Sequence, residues 1–178
     1  MKNYVYVATS LDGYIATSDG GVEWLDEIPN PEGNDYGYFE FMSGIDALVM
    51  GRHTYEKVLS FGVAWPYDKL VFVLSTSLER VPAEYEGKVE ILKGEPKEVV
   101  AEIHRRGYEN LYVDGGRTVQ SFLDEDLIDE MILTRVPILL GGGIPLFGEL
   151  AEPLRFEHVE TKVHDGILVT SRYWRIER

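Results

Sequence analysis

Ala47-Leu48-Val49-Met50-Gly51-Arg52-His53-Thr54-Tyr55-Glu56 is the stretch on which the fold turns. Four apolar residues in succession read as a strand buried on both faces, and the short stretch from Thr54 to Leu59 reads as a helix. A buried strand that runs straight into a helix is half of a strand–helix–strand unit. The junction also leaves free backbone N–H groups at the positive end of the helix, which is a ready site for an anion. Gly51 would let a ligand approach closely, Arg52 could grip a phosphate with two donors, and Thr54 could donate its hydroxyl. The same residues also fit a plain helix start, with Thr54 as a cap and Arg52 in solvent.

Working outward, Tyr4–Ala8, Leu70–Leu74 and Leu111–Val113 have the same doubly buried character. Helical patterns lie between them over Asp35–Met42, over Glu95–Arg106 with Pro96 in its first turn and Gly107 as a stop, and over Thr118–Leu123. The alternation predicts a single α/β domain over residues 1–178, with helices on both faces of a mixed, mostly parallel sheet. His164-Asp165-Gly166 carries an Asp-Gly turn signal between Phe156–Val163 and Ile167–Ile176, which predicts a C-terminal antiparallel hairpin. Thr17–Asn34, with its Gly, Pro and Asn clusters including Pro29-Asn30-Pro31, is a polar loop long enough to be functional or mobile.

Three further segments bear on chemistry. Val113-Asp114-Gly115-Gly116-Arg117-Thr118-Val119 is a second strand-to-helix junction with an arginine, and paired glycines there let a pyrophosphate lie against bare main chain. Two such junctions in one sheet favour a dinucleotide, although the Gly-x-Gly-x-x-Gly fingerprint is absent. Leu74-Ser75-Thr76-Ser77 ends a strand in hydroxyls that suit a ribose phosphate or an ordinary turn. Pro137–Phe147 holds the triplet Gly141-Gly142-Gly143, which would line a pocket or pack as a turn.

Composition removes other classes. Among the 178 residues, 17 Lys and Arg face 31 Asp and Glu, a net charge of −14 that argues against polynucleotides and anionic membranes. Without cysteine there is no disulfide, thiolate metal site or thiol nucleophile. His53, His104, His158 and His164 lack metal-ligand spacing, so no metal is expected. There is no Gly-x-Ser-x-Gly elbow. No apolar run is long enough to cross a membrane, and no apolar signal core follows Met1, so the expectation is a cytoplasmic protein.

With those residues in view, the chain resembles the dihydrofolate reductase-like superfamily, nearest to the C-terminal reductase domain of the bifunctional riboflavin-biosynthesis deaminase-reductase. The resemblance runs through Ser10-Leu11-Asp12-Gly13-Tyr14-Ile15-Ala16, Gly51–Glu56, Leu74-Ser75-Thr76, Asp114-Gly115-Gly116 and Leu139–Phe147. It implies the three-layer α/β/α fold and an NADPH site across the carboxyl edge of the sheet. It further implies that Gly51, Arg52 and Thr54 meet the cofactor phosphates and that Ser75 and Thr76 stand near the 2′-phosphate. Gly115, Gly116, Arg117, Thr118 and Val119 would wrap the pyrophosphate, while Ala8, Ile15 and Ala16 would flank the nicotinamide. A cis peptide between Gly115 and Gly116 is implied as well. The matching position for the proton-supplying acid is Asp35, with Asp12 as a second candidate. The implied activity is hydride transfer to a pteridine- or pyrimidine-type small molecule, as in reduction of 5-amino-6-(5-phosphoribosylamino)uracil; dihydrofolate reduction and non-catalytic NADPH binding are the alternatives. A homodimer is also implied, with Ile167, Leu168, Val169, Tyr173 and Trp174 as interface candidates.

Overall fold

The computed structural model describes residues 1–30 and 32–176; Pro31, from the loop noted above, and residues 177–178 lie outside it. The elements in chain order are β1 (Lys2–Thr9), β2 (Tyr14–Ala16), α1 (Tyr38–Ser43), β3 (Ala47–Gly51), α2 (Arg52–Ser60), β4 (Leu70–Leu74), β5 (Val89–Leu92), α3 (Pro96–Arg105), β6 (Asn110–Asp114), α4 (Gly116–Asp124), β7 (Glu130–Arg135), β8 (Ile144–Pro145), β9 (Phe156–His164) and β10 (Leu168–Arg175). Eight strands form one sheet in the order β5-β4-β3-β6-β1-β7-β10-β9, and β2 pairs with β8 apart from it. β5 through β7 are parallel to their neighbours, and β10 and β9 add antiparallel. The expected α/β sheet with a C-terminal hairpin is the observed one.

The strand sequences explain the layers. In β3, Ala47 and Val49 pack with Val99 and Ile103 of α3 and Phe122 of α4, while Leu48 and Met50 pack with Met42 of α1 and Tyr55 of α2. Successive side chains point to opposite faces, so an unbroken apolar run is what a sheet covered on both sides requires. At the far edge Asp165 (φ 54°) and Gly166 (φ 68°) both take left-handed geometry, as a tight hairpin turn with the right strand twist demands.

The differences from the sequence reading are local. α1 begins at Tyr38, not Asp35, because Tyr36 (φ 54°) and Gly37 (φ 93°) leave the helical region and the Asp35 carboxylate accepts the Gly37 and Phe39 N–H groups ahead of the first turn. β5 and β7 carry polar residues such as Glu90 and Glu130, which hid them from a search for apolar runs. No cis peptide occurs among the described residues. Gly115 turns the chain with a trans bond at φ 92°, ψ 136°, a conformation open to glycine and strained for other residues. The long polar loop is anchored: Trp24 is buried against Val136 and Leu168. Among the described residues no helix is long and apolar enough to cross a membrane.

Among the described residues, Glu130 is the one acid with no accessible surface. Its Oε1 accepts from Arg172 Nε on β10, and Lys2 Nζ stands 3.7 Å from Oε2. Removing one partner of a buried pair is strongly destabilising, whereas removing both is not. Arg172→Met should therefore lower stability by about 3 kcal/mol, and adding Glu130→Gln should restore most of it; thermal unfolding of the two variants measures both.

Candidate functional site

The parallel strands end along one edge, and a cleft of about 1360 Å³ opens there. Its floor is the carboxyl end of the sheet: Val7 and Ala8 near the end of β1, Gly51 and Arg52 where β3 passes into α2, Leu74 to Ser77 from the end of β4, Leu92 to Gly94 from the end of β5, and Asp114 to Thr118 from the end of β6. Crevices at strand carboxyl ends are where open α/β sheets bind ligands. Ile15 and Ala16 on one side, with Gly143, Ile144 and Pro145 beside them, form a wall. Ser18 to Gly20, Val22 and Leu25 form another, contributed by the anchored loop.

Two helices point their N-termini into this cleft, and neither is capped by a side chain. Their first-turn N–H groups are left for an anion. The junctions are fitted to each other: a Cβ on Gly115 would strike the Thr54 hydroxyl, and a Cβ on Gly51 would stand 2.9 Å from the Thr118 hydroxyl. Arg52 is paired with Glu56, at 2.9 Å on the same helix, and its other terminal nitrogen stands 3.4 Å from His53 Nε2; these are exposed contacts that can exchange partners at little cost. Arg117 has no hydrogen-bonding or ionic partner among the described residues. Lys93 lines the same end of the cleft. The Ser75 hydroxyl accepts the Leu78 N–H (2.9 Å) and the Ser77 N–H (3.2 Å), which shapes the turn and leaves its proton free to donate.

The residues singled out in the sequence divide cleanly. Ala8, Ile15, Ala16, Gly51, Arg52, Thr54, Ser75, Thr76, Gly115, Gly116, Arg117 and Thr118 all line the cleft. Val119 does not: its side chain is buried in the core beside Phe122, and its N–H donates to the Gly115 carbonyl (2.9 Å). Asp12 faces away, accepting the Ser10 hydroxyl (2.6 Å) and the Leu140 (3.1 Å) and Gly141 (2.8 Å) N–H groups, so it clasps the β1–β2 turn to the segment after β7. These donors, the Ser10 hydroxyl first, hold its carboxyl below the usual range. Asp35 is likewise outside the cleft lining and lowered, chiefly by the Phe39 and Gly37 N–H groups.

Three acids line the cleft among the described residues, Asp19, Glu56 and Asp114, and of these Asp114 is the last residue of β6. Burial pushes its pKa up to about 6, against the opposing pull of the Gly115 N–H at 2.8 Å and the Tyr112 hydroxyl. Tyr38 and Tyr67 stand close enough to feel its charge: burial first and Asp114 second raise Tyr38 to about 12 and Tyr67 higher still. A carboxyl poised near neutrality in a cleft suits proton transfer. A polar residue ending an apolar strand run was the available signal for it. Lys93-Gly94-Glu95-Pro96 was the corresponding signal for a third strand-to-helix junction. Among the described residues no group of His, Asp and Glu is gathered to hold a metal.

Comparison with known proteins gives this architecture a family. A putative riboflavin biosynthesis protein from Shewanella sp. PV-4 superposes with a TM-score of 0.96 at 50% identity, over 99% of this chain and all of that one. The uncharacterized protein YwjB of Bacillus subtilis (strain 168) is 37% identical over 163 residues, 90% of this chain and 91% of its own length. A dihydrofolate reductase from Enterococcus faecalis, solved with NADP(H) and RAB-propyl, superposes with a TM-score of 0.66 at 18% identity over 99% and 97% of the two chains, which shows the shared fold. The pattern of the RibD C-terminal domain matches residues 4–169, and the chain belongs to that reductase-like family, with the fold of the dihydrofolate reductases.

Proposed function

We propose that this protein is an NADPH-dependent reductase that delivers a hydride to a C=N or C=O group of a small pyrimidine- or pteridine-type molecule, with reduction of a ribosylaminopyrimidine of the riboflavin pathway as its nearest known chemistry. The observation that carries the reading is a single cleft in which two uncapped helix N-termini, Arg52 and Arg117 meet a half-buried acid whose pKa is pushed up to about 6.

The cofactor fits the residues present. The first-turn N–H groups of α2 and α4 with Arg117 would hold its pyrophosphate, and Arg52, Ser75, Thr76 and Lys93 would face the 2′-phosphate. The apolar side of the cleft at Ala8, Ile15 and Ala16 would take the nicotinamide. Bound NADPH supplies the hydride. The chain supplies the matching proton, and Asp114 is the group for it, since its carboxyl keeps the proton to near pH 6 while Asp12 and Asp35 are held ionised. Val22, Leu25 and Phe61 close apolar surface around the reaction.

NADPH should raise the melting temperature, and Arg52→Ala should weaken NADPH by about tenfold or more while weakening NADH less, as titration of both cofactors would reveal. Equal losses would remove Arg52 from the 2′-phosphate.

With Asp114 as donor, turnover should fall as pH rises above about 6. Asp114→Asn should reduce kcat by about a hundredfold or more and flatten that profile. A second readout needs no substrate. A folded-state pKa raised from 3.8 to about 6 means that the native protein binds a proton the unfolded chain has released between those values. Stability from this group is therefore full below about pH 4 and is lost as pH rises through 6. Asp114→Asn should lack this slope, so it should gain melting temperature on the wild type at pH 8 relative to pH 4.

A further inference from the structure

Four cations line the cleft among the described residues: Arg52, Lys57, Lys93 and Arg117. Three of them stand at strand-to-helix junctions, where the phosphates of a dinucleotide account for them. Lys57 does not. It lies midway along α2, past the anion-binding first turn, and reaches toward the loop that forms the opposite wall. Its Nζ is 3.4 Å from Glu23 Oε1 and sits 5.6 Å from the centre of the Phe61 ring, which also lines the cleft. Asp19, a second wall residue, feels its charge too.

Both sides of this contact are held in place. The wall is rooted at one end by the turn in which Gly21 N–H donates to Thr17 Oγ1 (2.9 Å) and Thr17 N–H to Gly21 O (2.9 Å), and at the other by buried Trp24. Glu23 itself is kept ionised first by its own backbone N–H and then by Lys57. The Lys57 ammonium, over the Phe61 ring at the cleft lining, keeps two donors beyond the Glu23 contact. Glu23 is 74% exposed, so the pair between them is long, solvated and worth little. A charge parked in a weak, exposed pair at the rim of a binding cleft can turn to a stronger acceptor without leaving a buried group unpaired.

We infer that Lys57 is the specificity-determining cation for the substrate, recognising an anionic substituent, phosphate or carboxylate, on the heterocycle, and that Glu23 is the internal anion which holds it ready and which the ligand displaces. This rests on the reductase reading for the identity of the substrate ring. It separates Lys57 from the cofactor cations, and it gives the Glu23 carboxylate a competitive role in place of a simple tether. The two roles differ in sign. A tether predicts that loss of either partner loosens the wall and weakens ligands alike. A displaced anion predicts that loss of Glu23 strengthens anionic ligands and loss of Lys57 weakens them.

Calorimetric titration of the NADP⁺-saturated protein tests this with two matched pairs. One is 5-amino-6-(5-phosphoribosylamino)uracil and its dephosphorylated form; the other is dihydrofolate and the corresponding pterin without its glutamate tail. The expected result is that one anionic member binds about tenfold or more tighter than its uncharged counterpart. Lys57→Gln should erase that difference, Lys57→Arg should retain it, and Glu23→Gln should raise affinity for the anionic member severalfold. The preferred pair tells phosphate from carboxylate. Equal loss of charged and uncharged ligands in Lys57→Gln, weakening in Glu23→Gln, or no preference for either anion would overturn the inference. Failure to bind NADP⁺ would instead overturn the reductase reading, and the same titrations on cofactor-free protein would then decide the role of Lys57.

Discussion

The contact on which the site depends is the reciprocal fit of two threonines on two glycines. Thr54, in the first turn of α2, lies against Gly115 after β6, and Thr118, in the first turn of α4, lies against Gly51 at the end of β3. β3 and β6 are neighbours and parallel, with Met50 level with Asp114, so their two helices start side by side from opposite faces of the sheet. A side chain at either glycine would drive the helix starts apart, because interiors at this density do not absorb a methyl group without a shift. The spacing between two positive helix ends is thereby fixed by packing. Everything that makes the cleft an anion site follows from that spacing.

This local device also reconciles the acidic chain with a polyanionic ligand. A net charge of −14 acts over distances that salt screens beyond about 8 Å, whereas helix N–H groups and arginine act within hydrogen-bonding reach. The cleft departs from the overall balance: Arg52, Lys57, Lys93 and Arg117 line it against Asp19, Glu56 and Asp114. Overall charge then governs which large partners are repelled, and the cleft governs which small ones dock.

Much of this was legible in the sequence because it rests on short-range rules. Doubly buried strands announce themselves as unbroken apolar runs, so β1, β3, β4 and β6 were visible, and strand-to-helix junctions with glycine marked the phosphate side. What escaped had a tertiary cause. β7 was hidden because Glu130 sits inside the sheet only by virtue of Arg172, 42 residues away. The β1–β2 turn looked like a reactive acid at Asp12 because nothing local reveals that Leu140 and Gly141, more than 120 residues on, occupy both its oxygens. The wall at Ser18 to Leu25 read as a polar loop, and only burial of Trp24 against Val136 and Leu168 makes it a wall.

Asp12, Asp35 and Asp114 show why side-chain chemistry alone does not choose a proton donor. Asp12 and Asp35 each accept backbone N–H groups, which favour the charged form and hold the carboxyl below its usual range. Asp114 has one such donor from its own neighbour and the Tyr112 hydroxyl, yet burial outweighs both. The difference follows from position: Asp114 ends a strand in the middle of the sheet, with Tyr38 and Tyr67 near enough to feel its charge, while the other two cap exposed turns. A donor near neutral pH needs desolvation without a full set of hydrogen bonds. In this fold the carboxyl end of a central strand provides that combination. The same packing that sets two helix ends beside each other therefore also places the acid between them.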